Sequence, residues 1–153
     1  MSDITNLLER AQAIVSDAER VTQALLRKVS LPGATIGLIT LDNGEDHTKP
    51  NTFGPGSLLA LNTAIDAALA DDTIDAIAVT GKPFILAAGA DLTSIQNVGP
   101  DAVRTVAELG HAVFRKLQDG GKPSFGFING LALGGGLEVA LHCTYRTVMD
   151  SAP

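Results

Sequence analysis

A run of small residues between a strand-like segment and a helical pattern constrains this chain more than any other feature. Gly130-Leu131-Ala132-Leu133-Gly134-Gly135-Gly136 follows an expected strand at 124–128 and precedes apolar residues, from Leu137 to Tyr145, that could line a helix. At such a junction the first N–H groups of the helix lack intrahelical partners and point outward, with the helix dipole adding positive potential. The run therefore predicts a turn whose backbone amides hold an anion or oxyanion.

The glycine spacing does not fit the common nucleotide-binding loops. The run reads G-x-x-x-G-G-G and lacks the G-x-G-x-x-G order of a dinucleotide fold. Gly81-Lys82 and Gly121-Lys122 are each followed by proline, where a phosphate-binding loop has serine or threonine. We predict neither a P-loop nor a Rossmann nucleotide site.

Strand-like and helical segments alternate along the rest of the chain, which predicts an α/β fold. A second turn of small residues, Ala87-Ala88-Gly89-Ala90, follows another apolar run and meets an acid, Asp91. Strands are expected at 34–41, 76–80, 124–128 and 146–149, and helices at 57–70, 101–117 and 137–145.

The N-terminal segment carries an apolar stripe at helical spacing. Apolar residues recur every three or four positions from Ile4 to Leu25, and Pro32-Gly33 provides a stop, so one amphipathic helix is expected. We place a boundary there, with residues 1–32 as a helical extension and 33–153 as the core domain. The stripe packs either on its own domain or on a partner subunit or domain.

Composition and charge exclude several classes of function. The net charge is −6, aromatic residues make up 4% of the chain and tryptophan is absent, so a nucleic-acid surface is not expected. The apolar stretch from Pro123 to Cys143 is interrupted by five glycines and by Glu138, which argues against a membrane span. The N-terminus has no secretory signal pattern.

The potential metal ligands and nucleophiles lack suitable spacing. His47, His111 and His142 form no zinc-like pattern with cysteine or acidic residues, and no G-x-S-x-G elbow is present. Cys143 is the single cysteine, so it cannot close an internal disulfide, and a reducing, cytoplasmic setting is expected. In its apolar stretch it is expected to be a buried thiol with a raised pKa and a poor nucleophile.

Two segments resemble motifs of the crotonase (enoyl-CoA hydratase/isomerase) superfamily. Ala88-Gly89-Ala90-Asp91-Leu92 resembles the end of its F-x-A-G-A-D-[LI] segment, although Phe84 stands two residues too early. The residues from Asn129 to Glu138 resemble its N-G-x-A-x-G-G-G-x-E segment. The similarity extends from about Ala34 to the C-terminus, and Asn51 lies near the asparagine of an early family motif.

The resemblance implies a repeated β-β-α spiral core without the family's C-terminal helices, and a site built from backbone. In it, the N–H groups of Ala90 and Gly135 form an oxyanion hole for an acyl-CoA thioester. Asp91 is expected to cap the following helix. The substrate-binding set expected around these donors comprises Gly89, Gly134, Gly136, Lys49 and Lys82, the two lysines being candidates for the CoA phosphates.

Glu138 matches the first of two catalytic glutamates of family hydratases. The second lies about twenty residues further on, past Pro153, and the pair acts on a water that adds to the substrate. The chain is therefore expected to be either a truncated part of a longer hydratase, such as the hydratase domain of a multifunctional fatty-acid oxidation protein, or a complete short binding module.

The resemblance implies hydration of a 2-enoyl-CoA to a 3-hydroxyacyl-CoA in fatty-acid β-oxidation, a lyase reaction. No separate cofactor or metal is expected, because CoA is part of the substrate. A double-bond isomerase, another crotonase reaction, or a non-catalytic acyl-CoA-binding or assembly module are the alternatives. Expected partners are further copies of the chain, or other domains of a fatty-acid oxidation protein.

Overall fold

A computed structural model describes residues 4–96 and 98–150 of the chain. Residues 1–3 of the first predicted domain, and residues 97 and 151–153 of the second, lie outside the described residues. The element order confirms the α/β class. The elements are α1 (Ile4–Ile14), β1 (Gln23–Leu31), β2 (Ala34–Asp42), α2 (Pro55–Ala70), β3 (Ala76–Gly81), β4 (Phe84–Ala87), α3 (Leu92–Ile95), α4 (Pro100–Asp119), β5 (Ser124–Ile128), β6 (Gly130–Ala132), α5 (Gly135–Leu141) and β7 (Tyr145–Val148).

Two strands followed by a helix recur along the chain. The order β1-β2-α2, then β3-β4 with α3 and α4, then β5-β6-α5 confirms the predicted β-β-α repeat. The first strands of these units, together with β2 and β7, form a sheet in the order β1-β2-β3-β5-β7. In that sheet β1 is antiparallel to β2 and the other pairs are parallel, while β4 and β6 form a separate parallel pair.

The predicted N-terminal helix is wrong beyond Ile14. Residues 23–31 form strand β1, whose nine residues pair with β2 from Gln23↔Asp42 to Leu31↔Ala34. The physical reason is that all nine residues pair with β2, and the backbone hydrogen bonds of this long pairing outweigh a local helical spacing that reaches only Leu25. Pro32-Gly33 is the hairpin turn between the two strands, so the predicted boundary lies inside one sheet.

The segment before β1 is fastened to the start of α2. The carboxylate of Glu19, 8% exposed, accepts hydrogen bonds from Gly56 N at 2.8 Å and from Ser57 N and Oγ at 2.9 Å. Gly54, the N-cap, offers no side chain of its own, so Glu19 satisfies amides that the helix leaves unpaired. In α1, Leu7 and Ala11 are buried, and the helix packs on its own chain.

The apolar core lies between the large sheet and two helices. Helix α2 packs against β1, β2 and β3, while α4 packs against α1 and α2. The sequence spacing placed both helices and β2, β3 and β5 to within two residues of their observed ends. Tyr145 is an exception, because it opens strand β7 instead of extending the last helix. The fully buried side chains include Ile39, Leu61, Ile65, Val79, Leu109 and Val113.

The described residues contain no cluster of histidine, cysteine or acidic side chains able to hold a metal ion. Within the same part of the chain, every helix is too short or too polar to cross a bilayer.

Candidate functional site

The pairing of β4 with β6 brings the two small-residue turns together. Ala87 pairs with Ala132 at the ends of these strands, and Leu133 N donates to Ala87 O at 3.0 Å. Beyond the strands, the backbone of Gly89 lies against that of Gly134 and Gly135. A Cβ added at Gly89 would lie 3.6 Å from both Gly134 Cα and Gly135 N. The turn that follows β4 is therefore in contact with the turn that opens α5.

The N–H group of Ala90 points away from its neighbours, because the carbonyl of the same peptide is hydrogen-bonded on the opposite side. Gly89 O accepts a hydrogen bond from Phe53 N at 2.8 Å, and Asp91 N donates to Phe53 O at 2.9 Å. In a trans peptide the C=O and the next N–H point in opposite directions, and the described residues contain no cis bond. The Ala90 N–H therefore points away from Phe53, and no described residue accepts a hydrogen bond from it.

The N–H group of Gly135 is held free in the same way. Gly134 O accepts from Leu137 N and Glu138 N, both at 2.9 Å, so this carbonyl points into α5. The N–H of Gly135, on the opposite side of the peptide, points out of the helix start. It too has no acceptor among the described residues. Two adjacent turns thus each present one unpaired amide, an arrangement suited to an oxygen that develops negative charge.

Both turns require glycine at one position. Gly89 has φ +93° and Gly134 has φ +49°, in the region that side-chain-bearing residues rarely adopt. The expectation that Gly134 shapes the second turn is met by this conformation, because Gly134 is the N-cap of α5. The predicted substrate contacts of Gly89, Gly134 and Gly136 stay predictions.

Asp91 is a helix cap, as predicted. Its Oδ1 accepts from Thr93 N at 2.9 Å and from Thr93 Oγ1 at 2.6 Å at the start of α3. Its carbonyl also accepts from Ser94 Oγ at 2.9 Å. The side chain therefore holds the exit of the first turn, next to the Ala90 amide.

Glu138 lies in the first turn of α5, three residues after the Gly135 amide, and its side chain is exposed. Its carboxylate makes no hydrogen bond or ion pair with any described residue. Leu137 and Leu141, 40% and 56% exposed, are on the same helix. Glu138, the only acid in α5, is thus unpaired, lies beside exposed apolar side chains and follows the unpaired Gly135 amide closely in sequence.

The Lys82 side chain is buried and hydrogen-bonds within the protein, whereas it was expected from the sequence to face a CoA phosphate. The residue is 5% exposed, and its Nζ donates to Asn43 Oδ1, to Glu45 O at 2.8 Å and to Lys49 O at 2.7 Å. An ammonium has three N–H groups, and these three acceptors use all of them. Lys82 therefore fastens the loop at 43–49, whereas the side chain of Lys49 is exposed.

Asn51 joins the ends of strands β2 and β4 beneath the site. Its Nδ2 donates to Leu41 O at 2.8 Å and to Leu86 O at 3.0 Å, and its Oδ1 accepts from Asn43 N at 3.0 Å. Its own carbonyl accepts from Ala88 N at 2.8 Å. The residue marked by the family resemblance thus fixes the entry of the first turn.

Phe53 contacts both turns and was not predicted from the sequence. Its backbone holds the peptide on each side of Ala90, and its ring lies under Gly135, where an added Cβ would be 3.3 Å from Phe53 Cδ2. No sequence signal marks this role, because an isolated apolar residue between Asn51 and α2 reads as ordinary core.

Cys143 is a buried thiol, as predicted, and burial raises its pKa to about 11. Its Sγ donates to Val139 O at 3.4 Å within the chain, so it is not poised as a nucleophile.

Comparison with known proteins identifies relatives of this fold. A family model described as enoyl-CoA hydratase/isomerase matches residues 32–153. A crotonyl-CoA hydratase of Syntrophomonas wolfei is 34% identical over 105 residues, which are 67% of this chain and 40% of that protein. A fatty acid oxidation complex subunit alpha of Pseudomonas syringae is 31% identical over 129 residues, which are 82% of this chain and 18% of that protein.

The solved structures agree with the relatives found by sequence. The structure of DspI from Pseudomonas aeruginosa superposes with a TM-score of 0.72 at 32% identity, covering 90% of this chain and 54% of that one. The chain thus spans between 18% and 54% of the length of these three proteins.

Proposed function

Because the chain belongs to the enoyl-CoA hydratase/isomerase family, we propose that its two adjacent turns bind the thioester carbonyl of an acyl-CoA. The observation that carries the proposal is the pair of unpaired amides, Ala90 N and Gly135 N, each freed by a neighbouring carbonyl that the fold engages. In this role both amides donate to one oxygen. They stabilise it most when it carries the charge of an enolate, so the interaction is strongest in the transition state.

The reaction we propose is hydration of a 2-enoyl-CoA. Water gives up one proton to a carboxylate as its oxygen bonds to Cβ, the double-bond electrons move toward the thioester, and the thioester oxygen becomes the enolate oxygen held by the two amides. A proton then joins Cα, and the enolate returns to a thioester carbonyl, which gives the 3-hydroxyacyl-CoA. Atoms balance with water alone, so we propose that no separate cofactor is needed.

Glu138 is proposed to handle the proton in this addition. Its carboxylate is exposed and unpaired among the described residues, so it is free to receive a proton from water and, once protonated, to give one to Cα. The exposed side chains of Leu137 and Leu141 on the same helix would favour an apolar acyl chain nearby. A partner carboxylate, oligomeric assembly, docking to other domains and a cytoplasmic location stay predictions.

Lys49 is the remaining candidate for the phosphates of CoA. Its side chain is exposed, while its carbonyl is held by Lys82 Nζ at 2.7 Å, which fixes the backbone from which the ammonium extends. Lys49→Gln should weaken CoA binding, and more so at low ionic strength, because an exposed charge is screened by salt. An unchanged CoA affinity would remove Lys49 from the proposed site.

The test is the absorbance of the conjugated enoyl thioester after addition of crotonyl-CoA to the full-length protein. We expect the wild type to consume it and Glu138→Gln to be slower by about 100-fold or more, the usual size of a general acid-base contribution. Glu108→Gln is the matched control, because Glu108 is a partly exposed glutamate on α4 whose carboxylate lies 3.9 Å from Arg10, and it should leave the rate unchanged. Equal rates for wild type and Glu138→Gln would contradict the proposal.

The same assay separates the alternatives within the family and outside it. Conversion of a 3-enoyl-CoA to the conjugated isomer, without consumption of the 2-enoyl-CoA, would indicate an isomerase. Binding of acyl-CoA by calorimetry with no turnover of either substrate would indicate a non-catalytic module.

A further inference from the structure

We propose that Phe53 is a positioning residue that sets the relative placement of the two amide donors, an inference that rests on the oxyanion-binding function proposed above. Phe53 is 3% exposed and lies between Asn51 and α2, outside both glycine turns. In the proposed role its side chain does not touch the thioester. Its effect passes through the peptides of Ala90 and Gly135.

Its backbone controls the first donor. The N–H and C=O of Phe53 bond to Gly89 O and Asp91 N, the two groups that flank Ala90, in a parallel β-bridge. This double attachment leaves Ala90 little freedom to rotate, because both neighbouring peptide planes are fixed. The direction of the Ala90 N–H is thereby tied to the position of Phe53.

Its ring controls the second donor. A Cβ added at Gly135 would lie 3.3 Å from Cδ2 and 4.0 Å from Cε2 of Phe53, so the ring packs closely beneath this residue. On another side the ring meets that of Phe114, with centroids 5.4 Å apart in an edge-to-face arrangement. Phe114 is 2% exposed, so the Phe53 ring is held between α4 and the start of α5.

One side chain and its own backbone therefore join the two turns. The backbones of Gly89 and Gly135 also lie close together, but a glycine pair offers no side chain that could resist sliding. Removal of the ring should let the start of α5 shift relative to Ala90 while both N–H groups remain. Because a displacement of about 1 Å can cost two orders of magnitude in rate, the loss should fall on kcat.

The test compares Phe53→Leu with wild type, and with Ile74→Ala as the control for lost core packing. Ile74 is 2% exposed and packs against Gly37, away from both turns. We expect Phe53→Leu to lower kcat about 10- to 100-fold with KM changed by no more than about threefold, and Ile74→Ala to leave kcat unchanged. Equal kcat for Phe53→Leu and Ile74→Ala would overturn the inference.

A spectroscopic readout separates this inference from the function on which it rests. Butyryl-CoA with a ¹³C-labelled thioester carbonyl binds without reacting, and hydrogen bonds to its oxygen move the infrared band to lower wavenumber. We expect a shift on the wild type and on Ile74→Ala, and a smaller one on Phe53→Leu. No shift on the wild type would overturn both the function and the inference, whereas equal shifts on wild type and Phe53→Leu would overturn the inference alone.

A double-mutant cycle tests the contact itself. Gly135→Ala forces its Cβ against the Phe53 ring, so it should lower kcat more in the wild-type background than beside Phe53→Leu, where space is available. Equal fold-losses in the two backgrounds would show that the ring does not restrain Gly135.

Discussion

Gly136 lies so close to Ala87 that a Cβ added at Gly136 would be 2.0 Å from the Ala87 carbonyl oxygen. Because Gly136 has no side chain, α5 can pack directly against the end of β4, which keeps the second turn beside the first. Gly136→Ala should therefore push the two turns apart, destabilise the protein by at least about 3 kcal/mol and remove acyl-CoA binding. Urea unfolding and calorimetry with butyryl-CoA would measure the two effects.

Gly110→Ala is the matched control, because Gly110 lies within α4 and an added Cβ would make only ordinary contacts at 3.8–3.9 Å. This substitution should raise stability by up to about 1 kcal/mol, since alanine favours a helix interior. If Gly136→Ala were as stable as Gly110→Ala, the close packing of α5 on β4 would be wrong.

The N-terminal segment should contribute to stability through one carboxylate. Glu19→Gln keeps the size of the side chain but replaces one accepting oxygen with a donor that faces Gly56 N or Ser57 N. We expect a loss of about 1–2 kcal/mol in the free energy of unfolding, similar to that of a lost helix cap. The measurement is urea unfolding beside Glu108→Gln, and equal midpoints for the two variants would contradict the capping role.

The buried ammonium of Lys82 should stabilise the loop at 43–49. Lys82→Met removes three hydrogen bonds but keeps a long apolar stem, so we expect a loss of about 1–3 kcal/mol and faster amide exchange across the loop. Lys49→Met, at an exposed side chain in the same region, should change stability by less than about 0.5 kcal/mol. Unfolding and hydrogen exchange of both variants decide the point, and unchanged exchange in Lys82→Met would refute it.

Stability should fall at alkaline pH because of Cys143. Burial raises the pKa of this thiol from 9.0 to about 11, so between these values the folded protein keeps a proton that the unfolded chain has lost. Stability is therefore fully present below about pH 9 and declines as the pH rises through about 11. Urea unfolding across this range should show a shallower decline for Cys143→Ala than for wild type, and equal slopes would argue against a buried thiol.

Most of the fold follows from local patterns, and the exceptions have a common cause. Helices α2 and α4 have a long helical spacing of apolar residues and proline in their first turns, and these two features were enough to predict both helices. The helical stripe that begins at Ile4 reaches Leu25, but the nine-residue pairing of 23–31 with β2 makes this segment a strand. At Tyr145, pairing with Phe125 in β5 similarly decides against a longer helix.

The parts of the candidate site that consist of short sequence motifs could be predicted. The parts that depend on contacts between residues distant in sequence could not. The turns around Ala90 and Gly135 were found from their small residues and the family resemblance. Their contact depends on the pairing of β4 with β6, which spacing along the chain does not reveal. Lys82 looked like a surface lysine because its three acceptors lie 33–39 residues earlier in the chain. Phe53 acts through its backbone and one face of its ring, and no sequence motif indicates such contacts.

Removal of the Gly135 N–H alone tests whether this amide binds the thioester oxygen. Replacing Gly135 with glycolic acid turns the amide that precedes it into an ester, which deletes the donor and keeps every side chain. The same replacement at Gly121, exposed in the loop before β5, is the control. For hydration of crotonyl-CoA by the full-length protein, we predict that kcat falls about 100- to 1,000-fold for the ester at Gly135 and is unchanged for the ester at Gly121. Wild-type kcat in the Gly135 ester would contradict the claim that this amide holds the thioester oxygen.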